Sequence, residues 1–239
     1  MDEIHAIFSR RLPGLADLTV YDALAAVFLV GCWLGVGWWV EDRPNKKSAS
    51  TLMLTYRMGW MREMARRSPR ILDGSLLGSL QNSASFFAST ALLGLGGLLA
   101  ILGQAQSLDD VAHALPLSTE TSPDGLRLRL VAPLFFIAYA FFKFAWAQRL
   151  FGYCSVLIGA TPEWDNARES EIMAAAERAG TVNGLAARSF NRGLRSMYFT
   201  LGSLAWMTGP FMLVLSTCAV VLMINRREFH SESREAISR

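Results

Sequence analysis

Ionisable side chains are nearly absent from four long stretches of this sequence, and the rest of it is arranged around that absence. Residues 18–40 carry one charge, Asp22; residues 83–103 carry none; residues 130–158 carry Lys143 and Arg149; residues 196–224 carry none. Histidine is scarce: His5, His113 and His230 are far apart and outside these stretches. With no carboxylate pair in an apolar stretch and no serine in a nucleophile elbow, acid–base and covalent catalysis both lack their residues, and no enzyme is expected. Asp109, Asp110 and His113 come closest to a metal-binding group, but one short loop of such residues is too little to predict a metal, and no cofactor is expected. Cys32, Cys154 and Cys218 make an odd number in apolar surroundings. That argues against a disulfide framework and for small buried side chains. A formal charge of +3 leaves no concentrated basic face for nucleic acid. Asp2 and Glu3 stand where a signal peptide needs positive charge, so the first apolar run reads as a retained span.

What the four stretches do have is length. About 20 predominantly apolar residues cross the roughly 30 Å of a bilayer's hydrocarbon. Backbone in lipid must satisfy its own hydrogen bonds, and without an alternating barrel pattern that means helix. With 52% hydrophobic residues, the chain is expected to be an all-α polytopic membrane protein: a four-transmembrane-helix bundle forming one membrane domain over 1–239, with helices extending into the cytoplasm. Trp33, Trp38 and Trp39 crowd the end of the first stretch and Tyr21 stands near its start, as an aromatic belt would. Cations divide unevenly among the connections. Residues 41–82 hold eight and residues 149–195 hold six, whereas the turn-rich connection 104–129 carries Asp109, Asp110, Glu120 and Asp124. The positive-inside rule then places the first and third connections in the cytoplasm of a bacterial inner membrane and both termini outside. Arg226 and Arg227, just past the last stretch, oppose that placement.

The cytoplasmic connections read as helical over 50–82 and 162–195. In Ser50–Arg67, Leu54, Met58 and Met61 share one face and Arg62 and Arg66 another. Ser68-Pro69 offers a helix start that would run into the second span, and Thr161-Pro162-Glu163 offers one for 162–178. Gly180 and Gly184 read as bracketing a turn, with the last helix starting near Leu185 and kinked at Pro210.

Lys143 stands near the middle of a span, where a lysine is costly. It either faces a polar cavity, an anion path or a partner subunit, or belongs to a displaced helix from which it snorkels to the inner interface. Tyr139, Lys143, Trp146 and Leu150 fall on one helical face. Gln81, Ser85 and Ser89, beside Asn82, form a polar stripe at i, i+4 and i+8; such stripes glue helices more often than they line hydrated pathways. Gly94–Gly97 allows close helix approach and is no phosphate loop, since it lies mid-span. Arg149 reads as an interface anchor, and Arg62, Arg66, Asn191 and Arg195 as further candidate interface residues on the cytoplasmic side.

Three segments are distinctive: TYRMGWMREMARR at 55–67, LQNSASFFASTALLG at 80–94 and GLRSMYFTLGSLAWMTGP at 193–210. In order and spacing they resemble a bacterial and plant family of small multi-pass membrane proteins, domain of unknown function 599, over about Leu18–Ile224. The resemblance implies a multi-pass membrane fold and no established activity, so no site residue is carried over from it. The residues themselves suggest an oligomeric channel or transporter for an ion or small solute, built on Lys143 with Ser85 and Ser89. Four helices are thin for enclosing a pore, hence the expected homo-oligomer. The alternative is an accessory membrane protein that docks a protein partner through its cytoplasmic helices.

Overall fold

The computed structural model describes residues 18–42, 47–104 and 123–238, and among them every regular element is helical. Helix α1 is Val20–Glu41, α2 Ala49–Ala65, α3 Ile71–Gly103, α4 Pro123–Ala160 and α5 Glu169–Ser203; a 3-10 turn, Leu204–Thr208, leads to α6, Pro210–Phe229, and α7, Glu232–Ser238. Four candidate spans are long and apolar enough to cross a membrane: Val20–Glu41, Ile71–Gly103, Asp124–Ala160 and Pro210–Ser238. Val20, Leu24, Val27 and Leu34 on α1 all stand exposed, as lipid-facing side chains would. The fold is compatible with a multi-pass membrane protein.

Local chemistry starts the first two helices. Thr19 and Asp22 form a reciprocal capping pair: the Asp22 amide donates to the Thr19 hydroxyl at 3.2 Å, and the Thr19 amide donates to the Asp22 carboxylate at 3.1 Å. Ser48 caps α2 by accepting from the Thr51 amide at 3.2 Å, and its own hydroxyl donates to the Val40 carbonyl at 2.9 Å. The end of α1 and the start of α2 are thereby joined through one side chain.

Several sequence boundaries shift, and most shifts have a local reason. The helix expected from Pro162 starts at Glu169. Thr161 instead donates back to the Leu157 carbonyl, and Arg70 gathers the carbonyls of Ile158, Thr161 and Pro162, so this segment closes α4. Gly180 and Gly184 make no turn; both lie inside α5, which also removes the start expected near Leu185. A Cβ at Gly180 would meet Met58 Sδ at 2.6 Å, so the bare backbone is what lets α5 lie against α2. Ser68–Pro69 is a cis bond, and α3 begins at Ile71. α4 reaches back to Pro123, shortening the expected turn-rich connection.

The largest correction concerns 196–224, expected as one kinked span. Gly209, with φ of 126°, ends the 3-10 turn, and Pro210 then takes the first position of α6. The chain doubles back: Ser216 Oγ donates to the Gly202 carbonyl at 2.8 Å, and a Cβ at Gly202 would meet Val220 at 3.0 Å. The two halves of the stretch lie side by side. The tail is redirected as a result. Four crossings would carry it to the side opposite the first connection, yet Ser50 donates to Glu228 from its amide (3.1 Å) and hydroxyl (2.8 Å), and Tyr56 Oη donates to the Ile237 carbonyl at 2.9 Å.

The chain divides into two compact units and passes between them five times. The first takes the described residues of Met1–Val36, Leu92–Ala138 and Ser196–Ile224; the second takes those of Gly37–Ala91, Tyr139–Arg195 and Asn225–Arg239. In the first unit Phe136 packs against Trp33 at 5.5 Å and Phe199 at 5.8 Å between ring centroids, so Trp33 is half-buried against the core, while Trp38 and Trp39 stay exposed as a belt requires. In the second, Met61, Met64, Leu77, Phe151 and Ile158 form the core. There α5 buries Ile172, Ala176, Ala179, Asn183 and Ala186 at alternating intervals of four and three, the stripe of an amphipathic helix.

Phe144 rests on Phe87 (5.3 Å) and Phe190 (5.3 Å), and a Cβ at Gly193 would come within 2.7 Å of its ring. Gly193→Ala should therefore destabilise the protein by about 1–3 kcal/mol, because a buried ring has to move. Gly184→Ala, whose Cβ would make only an ordinary 3.5 Å contact with Leu54, should be neutral or slightly stabilising. Thermal unfolding of both variants in one detergent decides: equal midpoints would refute the close-packing account.

Candidate functional site

Two carboxylates with no exposed surface anchor the polar interior. In the first unit Asp22 Oδ1 accepts from Trp206 Nε1 at 2.7 Å and pairs with Arg129 Nη2 at 3.2 Å. In the second, Asp73 Oδ1 accepts from Trp60 Nε1 at 2.7 Å and from Arg67 Nη1 at 3.0 Å. Each aspartate is the third residue of its helix, where unpaired backbone N–H groups favour negative charge. The pairs differ in depth: the Arg129 side chain is 3% exposed and that of Arg67 43%. A third cluster lies at the end of α1, where Glu41 holds Arg192, with Nε at 3.0 and 3.1 Å from its two oxygens, and also Arg195. Hydrogen bonding to Glu41 raises the pKa of Arg192 above its ordinary value.

The second unit also contains a cavity of about 430 Å³. Arg57, Arg227 and Glu228 supply its charges, Ser50, Ser83, Asn191 and Ser233 its neutral polar groups, and Phe87, Phe151 and Phe190 an apolar wall. Its chemistry rests on how the charges are used. Glu228 is engaged by the amide and hydroxyl of Ser50, in the first turn of α2. Arg57 donates from Nη1 to the amide oxygen of Asn183 at 2.5 Å and makes no ion pair among the described residues. Burial pulls the pKa of its guanidinium below the ordinary value. Arg57 is therefore a desolvated cation with a neutral partner, on the wall of a cavity that also offers hydrogen-bonding groups and aromatic surface.

The residues singled out in the sequence do not gather at one place. Lys143 is half-buried with Nζ 5.1 Å from the Tyr139 ring centroid, and its backbone carbonyl accepts from Ser189 Oγ at 2.8 Å. It lines neither the cavity nor the open groove in which Gln81 and Arg149 meet. Trp146 lines that groove and Leu150 is buried in the core, so the helical face expected to run from Tyr139 to Leu150 spans several environments. Asn82 and Ser89 are exposed and Ser85 is half-buried. Arg149 Nε donates to Tyr153 Oη at 2.7 Å. Asn191 lines the cavity and Arg195 is held by Glu41. Arg62 pairs with Glu177 at 3.1 Å, and Arg66 lies 5.6 Å over the Trp164 ring. Asp109, Asp110, His113 and His5 lie outside the described residues, as does most of the acidic connection.

The pattern that defines a family described as protein of unknown function, DUF599, matches residues 24–233. The chain belongs to this family. No curated protein and no solved structure matches it. The DUF599 match runs from within α1 to the start of α7 and includes Asp73, Arg57 and every lining residue of the cavity named above, while Asp22 falls just before it.

Sequence reasoning noted Asp22 as a lone charge and passed over Asp73, Trp60, Arg67 and Trp206. A readable signal existed: an aspartate in the first turn of an apolar helix needs a partner, and arginine and tryptophan side chains can supply one. Asp22→Asn keeps an acceptor for Trp206 but strands the Arg129 charge, and should cost about 3–5 kcal/mol. Asp73→Asn should cost clearly less, because water reaches Arg67. Urea or heat titration of both variants would reveal the order, and a larger loss at Asp73 would contradict it.

Proposed function

We propose that this DUF599 protein is a multi-pass protein of the bacterial inner membrane that binds a small solute in the cavity of its second unit, on the cytoplasmic side, as part of transport or conduction. The cavity carries the reading: charged, amide and aromatic side chains converge in one pocket, the composition of a small-molecule site. Lys143 and the serine stripe lend it less support than their sequence suggested, since Ser89 is exposed and Lys143 lies over Tyr139. The docking alternative is weakened by the same geometry. Met61 of the methionine-rich face is buried in the chain's own core, Met58 and Leu54 face Gly180 and Gly184, and Arg62 is paired with Glu177.

The position of the tail supports one orientation. With α7 on the side of the first connection, eighteen of the 23 lysines and arginines fall on one side, and Arg226 and Arg227 no longer oppose the positive-inside rule. A fifth crossing, formed by the end of α5 and the 3-10 turn, would return the tail to that side. The N-terminus is outside and the C-terminus inside.

A fluorescent protein fused to the C-terminus should glow and a periplasm-dependent phosphatase in its place should be inactive; the opposite pattern would overturn the five-crossing orientation. Asn191→Cys should react with a membrane-impermeant thiol reagent faster in inside-out vesicles than in intact cells. If neither preparation labels above the parent chain, the cavity is no solute site.

A further inference from the structure

The charges on the cavity wall point to what it would hold. Arg57, Arg227 and Glu228 line it, and Arg57 makes no ion pair among the described residues. One guanidinium without a carboxylate partner suits one anionic group. Glu228 makes no ion pair with Arg57; its two oxygens accept from Ser50. The amide oxygen of Asn183 satisfies one edge of the guanidinium without matching its charge. A half-buried guanidinium with a neutral partner still lacks a counter-charge, and a bidentate oxyanion is the group that matches its geometry best. Phe87 and Phe190, which meet edge to face at 5.5 Å, and the buried Phe151 also line the cavity, so the apolar part of a ligand would meet rings.

We infer that the cavity binds a small organic monoanion, its carboxylate on Arg57 beside Asn191 and its apolar body against Phe87 and Phe190. This rests on the cavity's being a solute site. Two sources share the chemistry: an acyl-chain acid from the membrane, and an aromatic or branched acid from solution.

The test is isothermal titration of the full-length protein in lipid nanodiscs with phenylacetate, decanoate, and the neutral phenylacetamide and decanamide. One acid should bind at least about tenfold more tightly than its amide, and Arg57→Gln should remove at least that factor. Asn191→Ala, which leaves the Arg57–Asn183 contact intact, should weaken binding several-fold, and Arg57→Lys should retain part of it. Preference for decanoate identifies the membrane source, preference for phenylacetate the soluble one. If Arg57→Gln fails to fold, the acid-to-amide ratio in the unaltered protein and the Asn191→Ala effect still decide. Amides binding as well as acids, or acids unaffected by the Arg57 and Asn191 changes, would overturn the anion while leaving a solute site. Failure of all four probes with Asn191→Cys still reactive would reject this ligand class alone; failure together with loss of labelling would reject both readings.

Discussion

A carboxylate buried in the first turn of an apolar helix must be given a charge and a hydrogen bond, and the fold meets that requirement twice with the same groups. Asp22 takes an indole N–H from Trp206 and a guanidinium from Arg129; Asp73 takes them from Trp60 and Arg67. Hydrophobic association says little about register among helices in lipid, because the tails are as apolar as the side chains. A buried ion pair is sensitive to position, since either member alone is expensive. The Asp22 cluster therefore ties the start of α1, the first part of α4 and the 3-10 turn after α5 to one another. The Asp73 cluster does the same for α2 and the start of α3.

With the polar anchors in place, small residues decide how closely the helices lie. Gly180, Gly184 and Gly193 sit on α5, opposite Met58, Leu54 and Phe144. Their neighbours Ala176, Ala179 and Ala186 are fully buried. A helix with so little side chain on its packed face leaves room for a ring cluster on one flank and a methionine core on the other. It also explains how α5 can be an interior helix of low hydrophobicity. Its buried face needs little apolar bulk, and its arginines find Glu41 or water.

That arrangement accounts for what could be read in the sequence and what could not. The candidate spans at α1, α3 and α4 were legible because twenty-odd apolar residues have few other uses. The amphipathic face of α2 was legible for the same kind of reason, as a period of 3.6. α5 was legible as helix over 162–195, but its continuity was not, because Gly180 and Gly184 imitate a turn. The doubling back at Gly209-Pro210 was hidden because the residues on both sides are apolar, so 196–224 read as one uninterrupted span. A glycine followed by proline is a stop and a start when the chain reverses, and a kink when it does not; neighbouring packing makes the choice. The same ambiguity hid the cavity. Arg57, Asn183 and Asn191 are far apart in sequence, and nothing local distinguishes Arg57 from the solvent-facing Arg62 and Arg66 on the same helix.

Two kinds of arginine separate structure from function. Arg129 and Arg195 have carboxylates of the chain's own, and their charges are spent on holding helices together. Arg57, half-buried, has only an amide among the described residues. If its purpose were architectural, a nearby carboxylate would serve better, and the nearest candidate in the cavity wall, Glu228, is instead committed to the first turn of α2. Arg70, also half-buried, is filled by the carbonyls of Ile158, Thr161 and Pro162, whereas Arg57 lines open volume. Lys143 was the residue whose sequence position most demanded explanation, and it finds one in the Tyr139 ring. Arg57 lines the cavity without a carboxylate partner among the described residues, on a helix outside the candidate spans.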